Sequence, residues 1–195
     1  MTSSFIERLC QRQPTVLSAL GDSLTVGYMV HQGYLDLVRS DLEQRYPEAD
    51  LQVLNHGVCG DTVFDGAKRL HPAILAPRPH LALVQFGLND CFSGISPARF
   101  SEGLNDVILW IKSSLPDSLI MLIPPPPVEP AAFDIQAEPF RVAMVEAAAS
   151  RATLIAPVSA HWGVNFPGKR LWLSDGIHPT EAGYRCMAEA IIYAL

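Results

Sequence analysis

The chain has 195 residues, of which 49% are hydrophobic and 17% are charged, so it holds enough apolar side chain for a buried core. Its 14 lysine and arginine residues against 20 aspartate and glutamate residues give a net charge of -6, which would repel a phosphate backbone. These values predict a single domain over residues 1–195 and argue against nucleic acid as a partner.

The sequence contains no apolar stretch long enough to cross a bilayer, and its first eight residues lack the pattern of an export signal. We therefore expect a cytoplasmic protein without stable membrane insertion, whose cysteines are reduced thiols. Its cysteines are scattered without a C-x-x-C pair, which indicates neither a zinc ribbon nor a dithiol motif. They are Cys10, Cys59, Cys91 and Cys186.

Short apolar runs alternate along the chain with segments of helical spacing. The predicted strands are 15–20, 50–54, 80–86, 118–123 and 153–158. The predicted helices lie around 35–42, 61–75, 97–111, 137–149 and 180–195, and the four prolines at 124–127 predict a stiff, extended loop. This alternation predicts an α/β fold in which a parallel sheet has helices on both faces.

Polar motifs follow four of the predicted strands. Ser23 follows the first strand in Gly-Asp-Ser-Leu, Gly60 follows the second, and Asn89 follows the third. Asp175 and His178 follow the fifth strand, three residues apart. Since ligands of such folds bind outside the carboxyl ends of the strands, we expect these motifs to meet at one edge of the sheet.

These residue types can perform nucleophilic catalysis. His178 has a carboxylate three residues before it, so we expect it to accept the proton of Ser23 and pass it to the leaving group. Asp175 would hold the imidazole tautomer. The oxyanion needs hydrogen-bond donors, and the candidates are the backbone N–H groups of Ser23 and Gly60 and the side-chain amide of Asn89. Gly60 suits this role because a residue without Cβ lets its N–H approach the substrate.

The same residues resemble the four blocks of the GDSL or SGNH hydrolase family, in the family's order. The blocks are Gly21-Asp22-Ser23-Leu24, Gly60-Asp61-Thr62, Gly87-Leu88-Asn89-Asp90 and Asp175-Gly176-Ile177-His178-Pro179. A looser similarity, over residues 55–62, is to the bacterial thioesterase and lysophospholipase branch. The resemblance implies a three-layer α/β/α flavodoxin-like fold with a five-stranded parallel sheet of order 2-1-3-4-5. It also implies esterase chemistry through an acyl-enzyme, with no cofactor, and the sequence carries no metal-ligand motif.

Several neighbouring residues have simpler interpretations. We expect Asp22 to stabilise its turn and Asp61 and Asp90 to cap helices or turns. His56 and His161 are rival candidates for the base, but both lack a carboxylate at the right offset.

Apolar and aromatic residues in the loops after strands three to five are candidates for the wall of a substrate pocket. They are Phe92, Ile95, Phe133, Trp162 and Trp172. Such a wall suits an acyl or aryl group, but the same residues could instead seal the end of the sheet. The substrate class stays open among carboxylic esters, thioesters, lysophospholipids and acetylated sugars. A flavodoxin-like module that binds a nucleotide or flavin without catalysis is the alternative, and the complete Ser, Gly, Asn, Asp and His set favours the enzyme.

Overall fold

The computed structural model describes residues 3–195 and contains a five-stranded parallel sheet. Its strands are β1 (Thr15–Gly21), β2 (Leu51–Gly57), β3 (Leu81–Gln85), β4 (Leu119–Leu122) and β5 (Leu154–Ile155). They are ordered β2-β1-β3-β4-β5, and every neighbouring pair is parallel. The predicted α/β class and the strand order 2-1-3-4-5 are confirmed.

Helices connect the strands and cover both faces of the sheet. They are α1 (Ser4–Cys10), α2 (Ser23–Val26), α3 (Tyr34–Arg45), α4 (Val63–Lys68), α5 (Leu88–Phe92), α6 (Pro97–Ser114), α7 (Ala131–Arg151), α8 (Val158–His161) and α9 (Glu181–Ala194). A π-helical segment, His71–Leu75, lies between α4 and β3.

The core has two layers, one on each face of the sheet. Successive side chains of a strand point to opposite faces, so Leu81 and Leu83 of β3 join one layer and Ala82 and Val84 join the other. Helices α1, α3 and α9 cover the first layer, while α4, α6 and α7 cover the second. Burial on both faces explains why the strands read as nearly continuous apolar runs.

Three elements that contain or adjoin prolines differ from the predicted ones. The predicted helix 61–75 is interrupted, since Pro72 has no N–H to donate to the carbonyl of Lys68, where α4 ends. Helix α7 begins six residues before the predicted 137 and continues through Pro139, whose exposed position leaves the broken hydrogen bond facing solvent. Strand β5 is shorter than predicted because its pairing ends at Ala156, just before Pro157.

Helix α1 and the short helices α2, α5 and α8 were not among the predicted elements. None of the helices described between residues 3 and 195 has both the length and the apolar character that a membrane span needs. All four cysteines carry free thiols.

Candidate active site

Ser23 is the first residue of α2 and lies at the carboxyl end of β1. The Leu24 N–H donates to Oδ1 of Asp22 at 2.9 Å, so Asp22 caps this helix and has the predicted turn-stabilising position. Gly57, the last residue of β2, allows α2 to pack directly on the sheet. A Cβ on Gly57 would lie 2.5 Å from the backbone N of Val26, which is closer than real atoms approach.

Three of the predicted site residues form a continuous chain of polar contacts. Oγ of Ser23 lies 2.9 Å from Nε2 of His178, and Nδ1 of His178 lies 2.7 Å from Oδ2 of Asp175. The histidine therefore has one ring nitrogen at the serine hydroxyl and the other at a carboxylate. Such an arrangement can move a proton away from the hydroxyl while the carboxylate fixes the imidazole tautomer.

A local turn holds Asp175 and His178 together. Oδ1 of Asp175 accepts hydrogen bonds from the N–H groups of Ile177 at 2.9 Å and His178 at 3.0 Å. Partial burial opposes ionisation of Asp175, but the hydrogen bonds from the His178 ring and these two N–H groups outweigh it, so its pKa lies below the usual value. The carboxylate is thus kept charged beside the imidazole.

The predicted oxyanion donors line the same cavity as Ser23. Gly60 has a φ of +85°, a conformation that favours glycine, and a Cβ there would meet nothing within 4 Å. The backbone conformation is therefore a reason for glycine at this position, in addition to the expected close approach of its N–H to the substrate. Within residues 3–195, the N–H groups of Ser23 and Gly60 have no hydrogen-bond acceptor. Nδ2 of Asn89 donates one hydrogen to the carbonyl of Asp61 at 3.1 Å, which leaves its second hydrogen for another acceptor.

A buried polar chain lies beneath the serine. Nε2 of Gln85 approaches Oδ2 of Asp22 at 3.4 Å, and the Thr25 hydroxyl donates to Oε1 of Gln85 at 3.1 Å. The Tyr34 hydroxyl lies 2.8 Å from that of Thr25. Burial raises the pKa of Asp22 to about 7.

Two other acidic residues beside the site have different functions. Asp90 accepts from the N–H of Val63, the first residue of α4, at 3.0 Å and from the N–H of Gly87 at 3.2 Å, so it caps α5 as predicted and also bonds to the start of α4. Its burial raises its pKa to about 6. The prediction that Asp61 is a cap was wrong. Thr62 caps α4, and the Asp61 carboxylate pairs with Arg69, a partner eight residues away that turn patterns do not reveal.

The cavity has a volume of about 260 Å³. The described residues that line it are Asp22, Ser23, Leu24, Tyr28, Cys59, Gly60, Leu88, Asn89, Phe92, Ile177 and His178. Of the five aromatic and apolar pocket candidates, Phe92 is in this lining. Phe133 lies in the first turn of α7 and packs edge-on against Phe92, with ring centroids 5.7 Å apart.

The other candidates, like Phe133, are outside the described lining of this cavity. Ile95 packs against the core layer of α4, α6 and α7. Trp162 and Trp172 pack on each other at 5.6 Å, and Trp172 donates its indole N–H to the carbonyl of Pro127. Trp162 also packs against the core layer of α1, α3 and α9.

Tyr28 is a cavity residue that the sequence analysis missed. Its N–H donates to the Ser23 carbonyl at 3.1 Å, and its ring centroid lies 4.7 Å from that of His178. The predicted pocket walls were confined to the loops after strands three to five. The nearness of Tyr28 to Ser23 in sequence was the available signal.

The rival histidines lie elsewhere. Nδ1 of His161 is 3.1 Å from the carbonyl of Pro157, and its ring packs on Tyr193. Partial burial and the neighbouring Arg69 lower the pKa of His56, and its Nε2 has no hydrogen-bond partner in the described structure. Among the described histidines, His178 is the one with a ring nitrogen within hydrogen-bond distance of the Ser23 hydroxyl.

The fold and this geometry define a class of hydrolase with a serine at the carboxyl edge of a flavodoxin-like sheet. The sequence pattern of the GDSL-like Lipase/Acylhydrolase family matches residues 19–186. The chain belongs to this family of ester-hydrolysing enzymes, which confirms the predicted family and the choice of an enzyme over a non-catalytic binding module.

Relatives with assigned names cover different shares of the chain. An arylesterase of Vibrio mimicus is 32% identical over 57% of this chain and 56% of its own length, so the match spans little more than half of that protein. Esterase TesA of Pseudomonas aeruginosa is 28% identical over 93% of this chain and 88% of its own length. The structure of Axe2, an acetylxylan esterase from Geobacillus stearothermophilus, has a TM-score of 0.81 at 20% identity and covers 92% of this chain and 93% of its own.

Proposed function

We propose that the protein is a serine esterase that cleaves carboxylic esters or thioesters through an acyl-enzyme on Ser23. The observation that supports this most directly is the pair of contacts, 2.9 Å and 2.7 Å, that link Ser23 through His178 to Asp175. His178 takes the hydroxyl proton as Oγ attacks the acyl carbon, then gives that proton to the departing alcohol or thiol. Water, activated by the same imidazole, releases the acid and restores Ser23.

The proposed oxyanion hole consists of the N–H groups of Ser23 and Gly60 and the amide of Asn89. Both N–H groups lack an acceptor within the described chain, and Asn89 keeps one amide hydrogen unused. Donors that are already oriented toward the developing negative charge stabilise the transition state without further reorganisation.

The chemistry of the cavity favours small, uncharged esters. Its apolar lining includes Leu24, Leu88 and Phe92, and no lysine or arginine is among the described residues that form it. A volume of about 260 Å³ suits a short acyl or an aryl group. Because no described lysine or arginine lines this cavity, the phosphate of a lysophospholipid or of an acyl-CoA thioester gains no charge-assisted hydrogen bond there. Lysophospholipids and acyl-CoA are therefore the less favoured substrates.

A hydrolysis screen tests this proposal. The substrates are p-nitrophenyl esters of graded acyl length, phenyl acetate, acyl-CoA, lysophospholipid and acetylated xylose. We expect the highest kcat/KM for short-chain and aryl esters, and labelling of Ser23 by a fluorophosphonate, located by peptide mapping. Ser93 is an exposed serine after α5, so S93A serves as the matched control for S23A.

Ser23→Ala should lower kcat by about 10³ to 10⁶-fold, while S93A keeps the wild-type rate. A fluorophosphonate adduct on another residue, or an active S23A variant, would contradict the serine assignment. A clear preference for lysophospholipid or acyl-CoA would leave the serine chemistry intact and overturn the proposed substrate class.

A further inference from the structure

The turn that carries Gly60 is held by few packing contacts. Val58, Cys59 and Gly60 are all exposed, and a Cβ on Gly60 would find no atom within 4 Å. A backbone hydrogen bond from the Asp61 N–H to the Val58 carbonyl, 3.2 Å long, closes the turn. The position of the Gly60 N–H therefore depends on what fixes the two ends of this turn, where the Val58 N–H already donates to the Gly21 carbonyl of β1 at 3.0 Å.

Arg69, just after α4, bonds to both ends. Its Nε and Nη2 donate to Oδ2 of Asp61 at 2.9 and 2.5 Å, and its Nη1 donates to the carbonyl of His56 at 3.0 Å. The side chains of Arg69 and Asp61 are only 29% and 14% exposed, so solvent weakens this ion pair less than a surface pair. A planar guanidinium can hold both acceptors at once, whereas a lysine ammonium on a flexible stem cannot reproduce that fork.

The same Asp61 also orients the second donor. Its backbone carbonyl accepts the hydrogen bond from Nδ2 of Asn89, at 3.1 Å. A shift of Asp61 would therefore change both the direction of the Asn89 amide and the position of the Gly60 N–H. Arg69 itself is outside the described lining of the cavity.

We infer that Arg69 is a positioning residue for the oxyanion hole, which it holds through Asp61. This inference rests on the proposed function, because it assigns Gly60 and Asn89 to the stabilisation of the transition state. Since a misplaced donor loses part of the benefit of a preorganised one, we expect Arg69→Ala to lower kcat by about 10 to 100-fold with little change in KM.

Lys68, the last residue of α4 and the neighbour of Arg69, provides a matched control. It carries the same charge, its side chain is 75% exposed, and it pairs with Asp65 rather than Asp61. Lys68→Ala should keep the wild-type kcat, while Arg69→Lys should recover only a small part of the loss in Arg69→Ala. If Arg69→Ala unfolds, Arg69→Lys and Asp61→Asn weaken the same contacts with less change in volume. Equal kcat values for the Lys68 and Arg69 variants would overturn the inference.

A double-mutant cycle distinguishes positioning from a general effect on folding. If Arg69 acts through the oxyanion donors, Arg69→Ala should cost much less in an Asn89→Ala background than in the wild type. Full additivity of the two losses in kcat would show that Arg69 does not act through Asn89.

Amide relaxation tests, independently of catalysis, whether the Arg69 contacts hold the Gly60 turn. The heteronuclear ¹H–¹⁵N NOE of Gly60 should fall in Arg69→Ala and stay unchanged in Lys68→Ala, because the ordering of the turn depends on the Arg69 contacts. This result is expected even if the wild type hydrolyses no ester. Absence of ester hydrolysis would refute the proposed function and leave the role of Arg69 in ordering the turn intact. An unchanged Gly60 NOE in Arg69→Ala would refute the positioning role of Arg69.

Discussion

Two regions supply the proposed catalytic groups, and they are held in different ways. The residues after β1, β2 and β3 are fixed by contacts between distant segments, such as Asp90 with Val63 and Asn89 with Asp61. Asp175 and His178 belong to one turn, in which the Leu173 N–H donates to the His178 carbonyl at 2.8 Å. The first region therefore depends on bonds between distant segments, whereas Asp175 and His178 bond to each other within one turn, and that turn is joined to the Glu129 N–H through the Gly176 carbonyl at 2.7 Å.

This difference predicts how activity and stability respond to mutation. Changes at the Asp175 side chain should affect catalysis with little effect on unfolding, because its hydrogen bonds lie within its own turn. Changes around Asn89 and Asp22 should affect both properties, since their partners lie in other elements of the core.

His178→Ala is the strongest test of the local turn. We expect kcat to fall by about 10⁴ to 10⁶-fold, because the proposed general base is lost, while the free energy of unfolding changes by about 1 kcal/mol or less. Wild-type kcat/KM should rise from acid to mildly alkaline pH, as only a neutral imidazole accepts a proton. His161→Ala is the control and should keep the wild-type rate and pH profile. A normal rate in H178A would move the base to another residue.

Asp175→Asn removes the negative charge of the side chain but keeps an oxygen that can stabilise the turn. The amide oxygen can still accept from the Ile177 and His178 N–H groups, but its NH₂ would favour the wrong imidazole tautomer. We expect kcat to fall by on the order of 10⁴-fold while the thermal unfolding midpoint stays close to that of the wild type. A nearly normal rate would reduce the proposed triad to a Ser23 and His178 dyad.

Asn89→Ala tests the region that is tied into the fold. We expect kcat to fall by about 10² to 10³-fold with KM little changed, since the amide is proposed to contact the oxyanion. Loss of its bond to Asp61 should also cost about 1 kcal/mol in unfolding free energy, measured by urea titration. Asn165 is exposed and far along the chain, so N165A is the control. A defect confined to KM would make Asn89 a substrate-binding residue.

Asp22→Asn tests the buried base of the same region. Burial raises the pKa of Asp22 from 3.8 to about 7, so the folded state holds a proton that the unfolded state releases between these values. The bound proton stabilises the folded state relative to the unfolded state. This stabilisation should fall as the pH rises from the unfolded pKa to the folded pKa, by on the order of 2–3 kcal/mol from pH 5 to pH 8.

In D22N that part of the pH dependence should disappear, as judged by urea titrations at both pH values. Asp106 is exposed on α6, so D106N should retain the wild-type pH dependence. Equal pH dependence in wild type and D22N would show that Asp22 stays ionised in the folded protein.

Local sequence signals determined a large part of the site. The alternation of apolar runs and helical segments predicted the sheet, and the motifs after its strands predicted which edge carries Ser23, Gly60 and Asn89. The spacing of Asp175 and His178 predicted their contact, because residues three apart can meet within one turn. The family followed from these same blocks.

Tertiary structure decided the contacts that join separate segments. Asp61 pairs with Arg69 instead of capping a helix, and Trp172 bonds to Pro127 instead of lining the cavity, whereas Tyr28 packs on His178. Each of these side chains has several compatible partners in sequence terms. The choice among them depends on which segments are adjacent after folding, since a hydrogen bond or ring contact needs its atoms within a few ångströms regardless of their distance along the chain.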